Sequence, residues 1–160
     1  MKQLLFAALL ASTGCGRVIP AQTWEIVGCS DSDVASIHRS AYSWNEAIAS
    51  RGLSTTATLT FGESYQKVVC VYSDSEQVAK QMAARNFAGW TVNQYVYALR
   101  TPTHPISNHQ FQAIVVHEFG HVIGLDHSTD TKAVMWPNND SSSPIEPTST
   151  DVDALESIVN

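Results

Sequence analysis

His117-Glu118-Phe119-Gly120-His121-Val122-Ile123-Gly124-Leu125-Asp126-His127 is the stretch on which the reading of this chain turns. It lies inside a segment with a helix start of its own. Ser107 followed three residues later by Gln110 is a capping-box pattern. Phe111, Ile114, Val115, Val122 and Leu125 then supply the apolar positions of a helix running to about Gly124. On such a helix His117 and His121 project from one face, one turn apart, so their imidazoles can share one metal ion. Glu118 stands beside the first histidine and can reach a water at that metal without ligating it. Gly124 lets the chain leave the helix through a conformation that a β-carbon opposes, and the turn returns His127 as a third nitrogen. Three neutral imidazoles with a fourth position open are what a catalytic zinc requires. Five matches at fixed places arise by chance on the order of 10⁻⁵ per chain of this composition, so unconnected surface histidines are a poor account of the pattern. His38, His104 and His109 lie outside it and read as ordinary helix and loop residues.

Working outward, the flanking segments predict an α/β (α+β) domain. Trp24–Val27 reads as a short strand ending at Gly28. Ser30 or Asp31 caps a helix to about Ser50, with Val34, Ile37, Ala41, Trp44 and Ile48 on one face and Gly52 as its stop. Ala57, Leu59 and Phe61 alternate with threonines in a half-buried strand, and the valine-rich run 67–72 reads as a more buried one. A short helix is expected over 75–84 and a single strand over Val92–Leu99. Pro137–Pro147, rich in Pro, Asn and Ser, is an irregular loop. Ser149 or Thr150 caps a last helix carrying Val152, Leu155, Ile158 and Val159. This order predicts a mixed, mostly parallel twisted sheet backed by helices.

The chain has 160 residues, 9 basic and 15 acidic, for a net charge of −6. That length suits one domain plus an address. An acidic chain without a Lys/Arg run is poorly made for nucleic acid, where cations must cluster against phosphates. Residues 1–12, MKQLLFAALLAS, place one cation before a short apolar run, as a secretory signal does. Ser12-Thr13-Gly14-Cys15 resembles a bacterial lipoprotein processing site, in which Cys15 is acylated; ordinary secretion with cleavage before Trp24, or a structural helix, are the alternatives. The expected division is 1–14 signal, 15–22 tether and 23–160 catalytic domain, with no room for a pro-domain. If Cys15 carries a lipid, Cys29 and Cys70 remain as an even pair. In an exported chain they are disulfide candidates; two buried free thiols are the alternative.

The extended motif HEFGHVIGLDH resembles the metzincin metalloproteases, defined by HExxHxxGxxH and a downstream Met-turn. Ala133-Val134-Met135-Trp136-Pro137 is the Met-turn candidate, and its distance from His127 is that of the matrixin branch. Ser128 directly after the third histidine, Ser128-Thr129-Asp130, Pro137, and Thr150-Asp151-Val152-Asp153-Ala154-Leu155 are also similar to matrixins. The likeness is close from about Asn108 to Val159 and rests before that on element order alone. It implies the zincin fold, with the active-site helix and Met-turn below a cleft. Met135 would floor the site without ligating, its alternative being a generic core methionine. Trp136 and Pro137 would wall a substrate pocket, with Trp136 where the family usually has Tyr. No Tyr stands two residues past Met135, so the tyrosine ligand of astacins and serralysins has no counterpart. The His-rich loop of animal matrixins is missing, so structural calcium or a second zinc is not expected, nor is the latency cysteine of their propeptides found.

The resemblance implies one catalytic Zn²⁺ on His117, His121 and His127, and Glu118 as the base in hydrolysis of peptide bonds by a zinc-activated water. The partner would be a protein or peptide bound extended against an edge strand, for which Val92–Leu99 is the candidate, and Pro137–Pro147 would occupy the place of the specificity loop. The enzyme is expected to be an exported monomeric endopeptidase, reaching a membrane only through a lipid on Cys15. A zinc hydrolase of cell-wall peptides and a non-catalytic zinc-binding surface lipoprotein are the rival readings.

Overall fold

A computed structural model describes residues 21–53 and 59–159. The expectations for Cys15, for the signal, for the tether up to residue 20 and for Ala57 lie outside the described residues, whereas Gln22, expected at the end of the tether, opens the first strand. Five strands form one sheet in the order β2-β1-β3-β5-β4: β1 (Gln22–Val27), β2 (Leu59–Phe61), β3 (Lys67–Val71), β4 (Gly89–Val92) and β5 (Tyr95–Leu99). All neighbours are parallel except β4, which runs antiparallel to β5. Among the described residues four helices accompany them: α1 (Asp31–Ser50), α2 (Gln77–Ala84), α3 (Asn108–Val122) and α4 (Ser149–Val159). The expected mostly parallel α/β architecture is therefore present. Among the described residues no helix is long and apolar enough to cross a membrane.

Strand alternation divides the core. Val68, Cys70, Val96 and Ala98 face the main cluster under α1 and α3, whereas Val71 and Leu99 face Ala79 and Met82 of α2 on the opposite side. Ser30 caps α1, its side chain accepting from the Asp33 N–H. The face predicted from spacing is the buried one: Ile37, Ala41, Trp44 and Ile48 have almost no exposure. At its end Gly52 has φ +63, and the Gly52 and Leu53 N–H groups donate to Ala49 O and Ile48 O, the paired bonds of a Schellman stop. The Trp44 indole crosses to α3 and donates from Nε1 to Val116 O at 2.8 Å. A buried aromatic of this size contributes about 1.5–3 kcal/mol through its apolar surface, and the bond fixes the two helices in register.

One element departs from the sequence reading. The run 92–99 is not one edge strand. Asn93 adopts φ +53, a left-handed conformation that Asn tolerates better than most residues, and the chain folds into a hairpin there. β5 is consequently internal, between β3 and β4, and the edge on that side of the sheet is β4. The run of Tyr and Val masked a turn that has neither Gly nor Pro. The last helix also starts slightly earlier than expected: Thr148 O accepts from Val152 N–H, and the Asp151 carboxylate accepts from the Thr148 N–H and hydroxyl.

Candidate metal centre and cleft

The capping box exists: the Ser107 hydroxyl accepts from Gln110 N–H, and the Gln110 side chain accepts from Ser107 N–H. The helix it starts is enclosed, with every residue from Phe111 to Gly120 buried. This central helix carries His117 and His121. At its end Gly124 has φ +101. Gly124 N–H donates to His121 O and Leu125 N–H to Gly120 O, a second Schellman turn that sends the chain back past the helix.

That turn assembles the triad. The donor atoms of His117, His121 and His127 lie within 4.8 Å of one another and form the metal-competent group found among the described residues. The three are respectively buried, half-buried and exposed, so the group has a closed side and an open side. His117 Nδ1 lies 2.8 Å from Val134 O, and His121 Nδ1 lies 2.8 Å from Leu125 O. A carbonyl can only accept, so each Nδ1 carries the proton and each Nε2 presents a lone pair. His121 Nε2 stands 3.2 Å from His127 Nε2, close to the roughly 3.3 Å that tetrahedral geometry at zinc–nitrogen distances of about 2.0–2.1 Å imposes. Burial holds His117 down to about 4, the Val134 carbonyl opposing and the neighbouring histidines reinforcing; burial likewise lowers His121. Both rings are therefore neutral at physiological pH, as metal ligation requires. The donor chemistry and spacing fit a zinc ion.

Glu118 is buried on the same helix. Burial pushes its carboxyl up to about 7, against the lowering effect of a hydrogen bond from Thr91. That bond comes from the Thr91 hydroxyl to Glu118 Oε2, so the carboxylate rests on the edge strand.

Met135 is buried beneath the triad helix, and the turn holding it is pinned from two sides. Met135 O accepts from Ser128 N–H, next to His127. Asp151 of α4 accepts from the Val134 and Met135 N–H groups at 2.9 and 3.0 Å. Because Val134 O in turn accepts from His117, Asp151 fixes the turn that orients the first candidate ligand. Trp136 follows half-buried and Pro137 exposed. Cys29 and Cys70 are bonded to each other, joining the start of α1 to β3. Away from the site, His38 packs edge-on against Phe61 and His104 Nδ1 lies 3.0 Å from Thr103 Oγ1.

The sequence reading did not find Asp151's role, nor Gly89 and Thr91. Asp151 is visible only as part of a similar closing helix, and Gly89 and Thr91 fall in a stretch to which the sequence reading assigns no element. The roles of all three come from contacts between segments far apart along the chain.

A helix-borne histidine pair, a third histidine after a glycine turn and a buried glutamate beside them define a centre of the metallopeptidase class. Comparison with known proteins identifies the family. The matrixin profile, peptidase family M10, matches residues 72–159, more than half of the chain, and the chain belongs to this family of zinc-dependent metallopeptidases. It is similar to interstitial collagenase of Oryctolagus cuniculus, 36% identical over 56 residues, which make up 35% of this chain and 12% of the collagenase. The interstitial collagenase of Equus caballus is 34% identical over 58 residues, 36% of this chain and 12% of that protein. The chain thus spans about an eighth of the length of the curated relatives it matches.

Proposed function

We propose that this protein is a zinc-dependent endopeptidase, with His117, His121 and His127 holding one Zn²⁺ through their Nε2 atoms. The observation that carries the reading is the convergence of those atoms beside a buried Glu118. Zinc, when bound, supplies the Lewis acidity that polarises the scissile carbonyl and acidifies the attacking water. Glu118 accepts the proton of that water as it adds to the carbonyl carbon, then delivers it to the leaving amine nitrogen. In the metal-free chain burial raises the Glu118 carboxyl to about 7, and this upward push by burial supports a carboxyl that both accepts and returns a proton. Met135 supports the triad from below. The peptide lies extended along β4, which ends the sheet on that side among the described residues and suits strand addition, and Trp136 and Pro137 border its pocket.

The substrate class is protein or peptide, and the enzyme works as a monomer. Its place is outside the cytoplasm, after export by residues 1–14 and tethering through a lipid on Cys15. The Cys29–Cys70 bond supports an oxidising compartment. A metal-scavenging protein is the weaker reading, because such a protein has no use for a buried carboxylate beside the triad. Casein or gelatin zymography with and without chelator tests the activity, and purified peptidoglycan beside casein separates a cell-wall hydrolase. Glu118→Gln is expected to keep one zinc per chain and lose about 10²–10⁴-fold in kcat. Wild-type turnover in that variant would sink the mechanism.

A further inference from the structure

Helix α3 fixes the Cα of Glu118, but a glutamate has three rotatable bonds beyond it. Something else must place the carboxylate. Gly89 and Thr91 are two residues apart on β4 and so share one strand face. A β-carbon on Gly89 would lie 2.4 Å from Glu118 Oε1, 2.9 Å from its Cγ and 2.6 Å from Ile114 Cγ2. The glutamate stem and one carboxylate oxygen therefore occupy the space that any other side chain at 89 would fill. The Thr91 hydroxyl lies against Glu118 Oε2 and 3.2 Å from the Glu118 carbonyl. It has a single proton, and the charged carboxylate is the stronger acceptor. Among the described residues, Thr91 is the residue found to hydrogen-bond this carboxylate, its main chain contributing beside the hydroxyl.

We propose that Thr91 is the positioning residue for Glu118, its hydroxyl holding the carboxylate while Gly89 provides the room to seat it. The proposal rests on the reading of Glu118 as the base. It makes β4 a common reference for substrate and base: the strand offers its main chain on the open side and anchors the carboxylate on the inner side. Without the hydroxyl the carboxylate samples other rotamers, and the proton transfer is misaligned in molecules that still bind substrate normally. Valine keeps the shape of threonine without the donor, and serine keeps the donor without the methyl, so the two variants separate hydrogen bonding from packing.

The test uses the zinc-loaded full chain and a fluorogenic peptide. Thr91→Val is expected to lower kcat about 10–100-fold with KM within about twofold, whereas Thr91→Ser stays within about threefold of wild type. A second measurement needs no turnover. In metal-free protein labelled with ¹³C at glutamate carboxyls, the Glu118 resonance is assigned by its loss in Glu118→Gln. It should move in Thr91→Val and hold its place in Thr91→Ser. Wild-type kcat in Thr91→Val, equal loss in both variants, or an unmoved carboxyl resonance would each overturn the proposal. If Thr91→Val does not fold, Thr91→Ala takes its place in the same comparison. If the wild type cleaves no peptide, the proposed function fails, and the carboxyl resonance alone decides whether Thr91 holds Glu118.

Discussion

Gly120 of the triad helix sits directly against Met135: a β-carbon at 120 would stand 2.1 Å from Met135 Sδ and 3.2 Å from Trp44 Cζ2. The glycine lets the helix descend onto the methionine and close the space beneath His117 and His121. Helix propensity alone would favour Ala at this position by about 1 kcal/mol. Overpacking works against it and costs typically about 1–3 kcal/mol, because the buried methionine must shift to admit the added carbon. Gly120→Ala is therefore expected to lower the urea midpoint and weaken zinc binding. A midpoint above wild type would show that Met135 moves aside freely.

Asp151 ties α4 to the turn under the triad by accepting from two buried N–H groups, those of Val134 and Met135. Asp151→Ala leaves both without their partner, at roughly 1–3 kcal/mol each. The expected loss is about 3 kcal/mol in chemical denaturation, with weaker zinc binding because Val134 O no longer holds His117 in place. Retained stability together with unchanged zinc affinity would refute the linkage.

The Cys29–Cys70 bond joins residues 41 apart in sequence. By loop-closure entropy, a loop of that size stabilises the fold by about 3–4 kcal/mol. The double variant Cys29→Ser/Cys70→Ser should lose about that much in guanidinium unfolding while keeping kcat within about twofold under native conditions. A large fall in kcat with little change in stability would instead assign the bridge a part in shaping the cleft.

The metal-free protein should show opposed pH effects. Glu118 is raised to about 7 in the fold, so the native state binds more protons than the unfolded chain between its ordinary value and 7, and stability falls as pH rises through that window. His117 is lowered to about 4, so between about 4 and its ordinary value of 6.5 the unfolded chain binds more protons, and stability rises with pH. His121 acts in the same direction as His117. In Glu118→Gln only the histidine effect remains. Its stability, followed by thermal melts without metal, should rise more steeply from pH 4.5 to 6.5 than that of wild type. Identical slopes would mean that Glu118 does not titrate as burial dictates.

Local signals were legible because each element's start and face are written in nearby residues. Ser107 and Gln110 form the box their spacing announces, and Ile37, Ala41, Trp44 and Ile48 bury the face their periodicity predicts. The hairpin at Asn93 was not legible, since a residue that only tolerates a left-handed turn gives a weaker mark than one that demands it. Its consequence was larger than the turn itself: it moved the sheet edge from β5 to β4.

By itself the sequence determined the chemistry of the candidate centre. A helical period puts His117 and His121 on one face, Gly124 permits the turn to His127, and Glu118 follows the first histidine; these are short-range consequences of covalent spacing. Only the tertiary structure decided what holds those groups in place. Asp151 fixes the Met135 turn, Gly120 admits its sulfur, and Thr91 and Gly89 receive the Glu118 carboxylate. Those contacts depend on how helices and strands pack, so residue spacing along the chain does not record them.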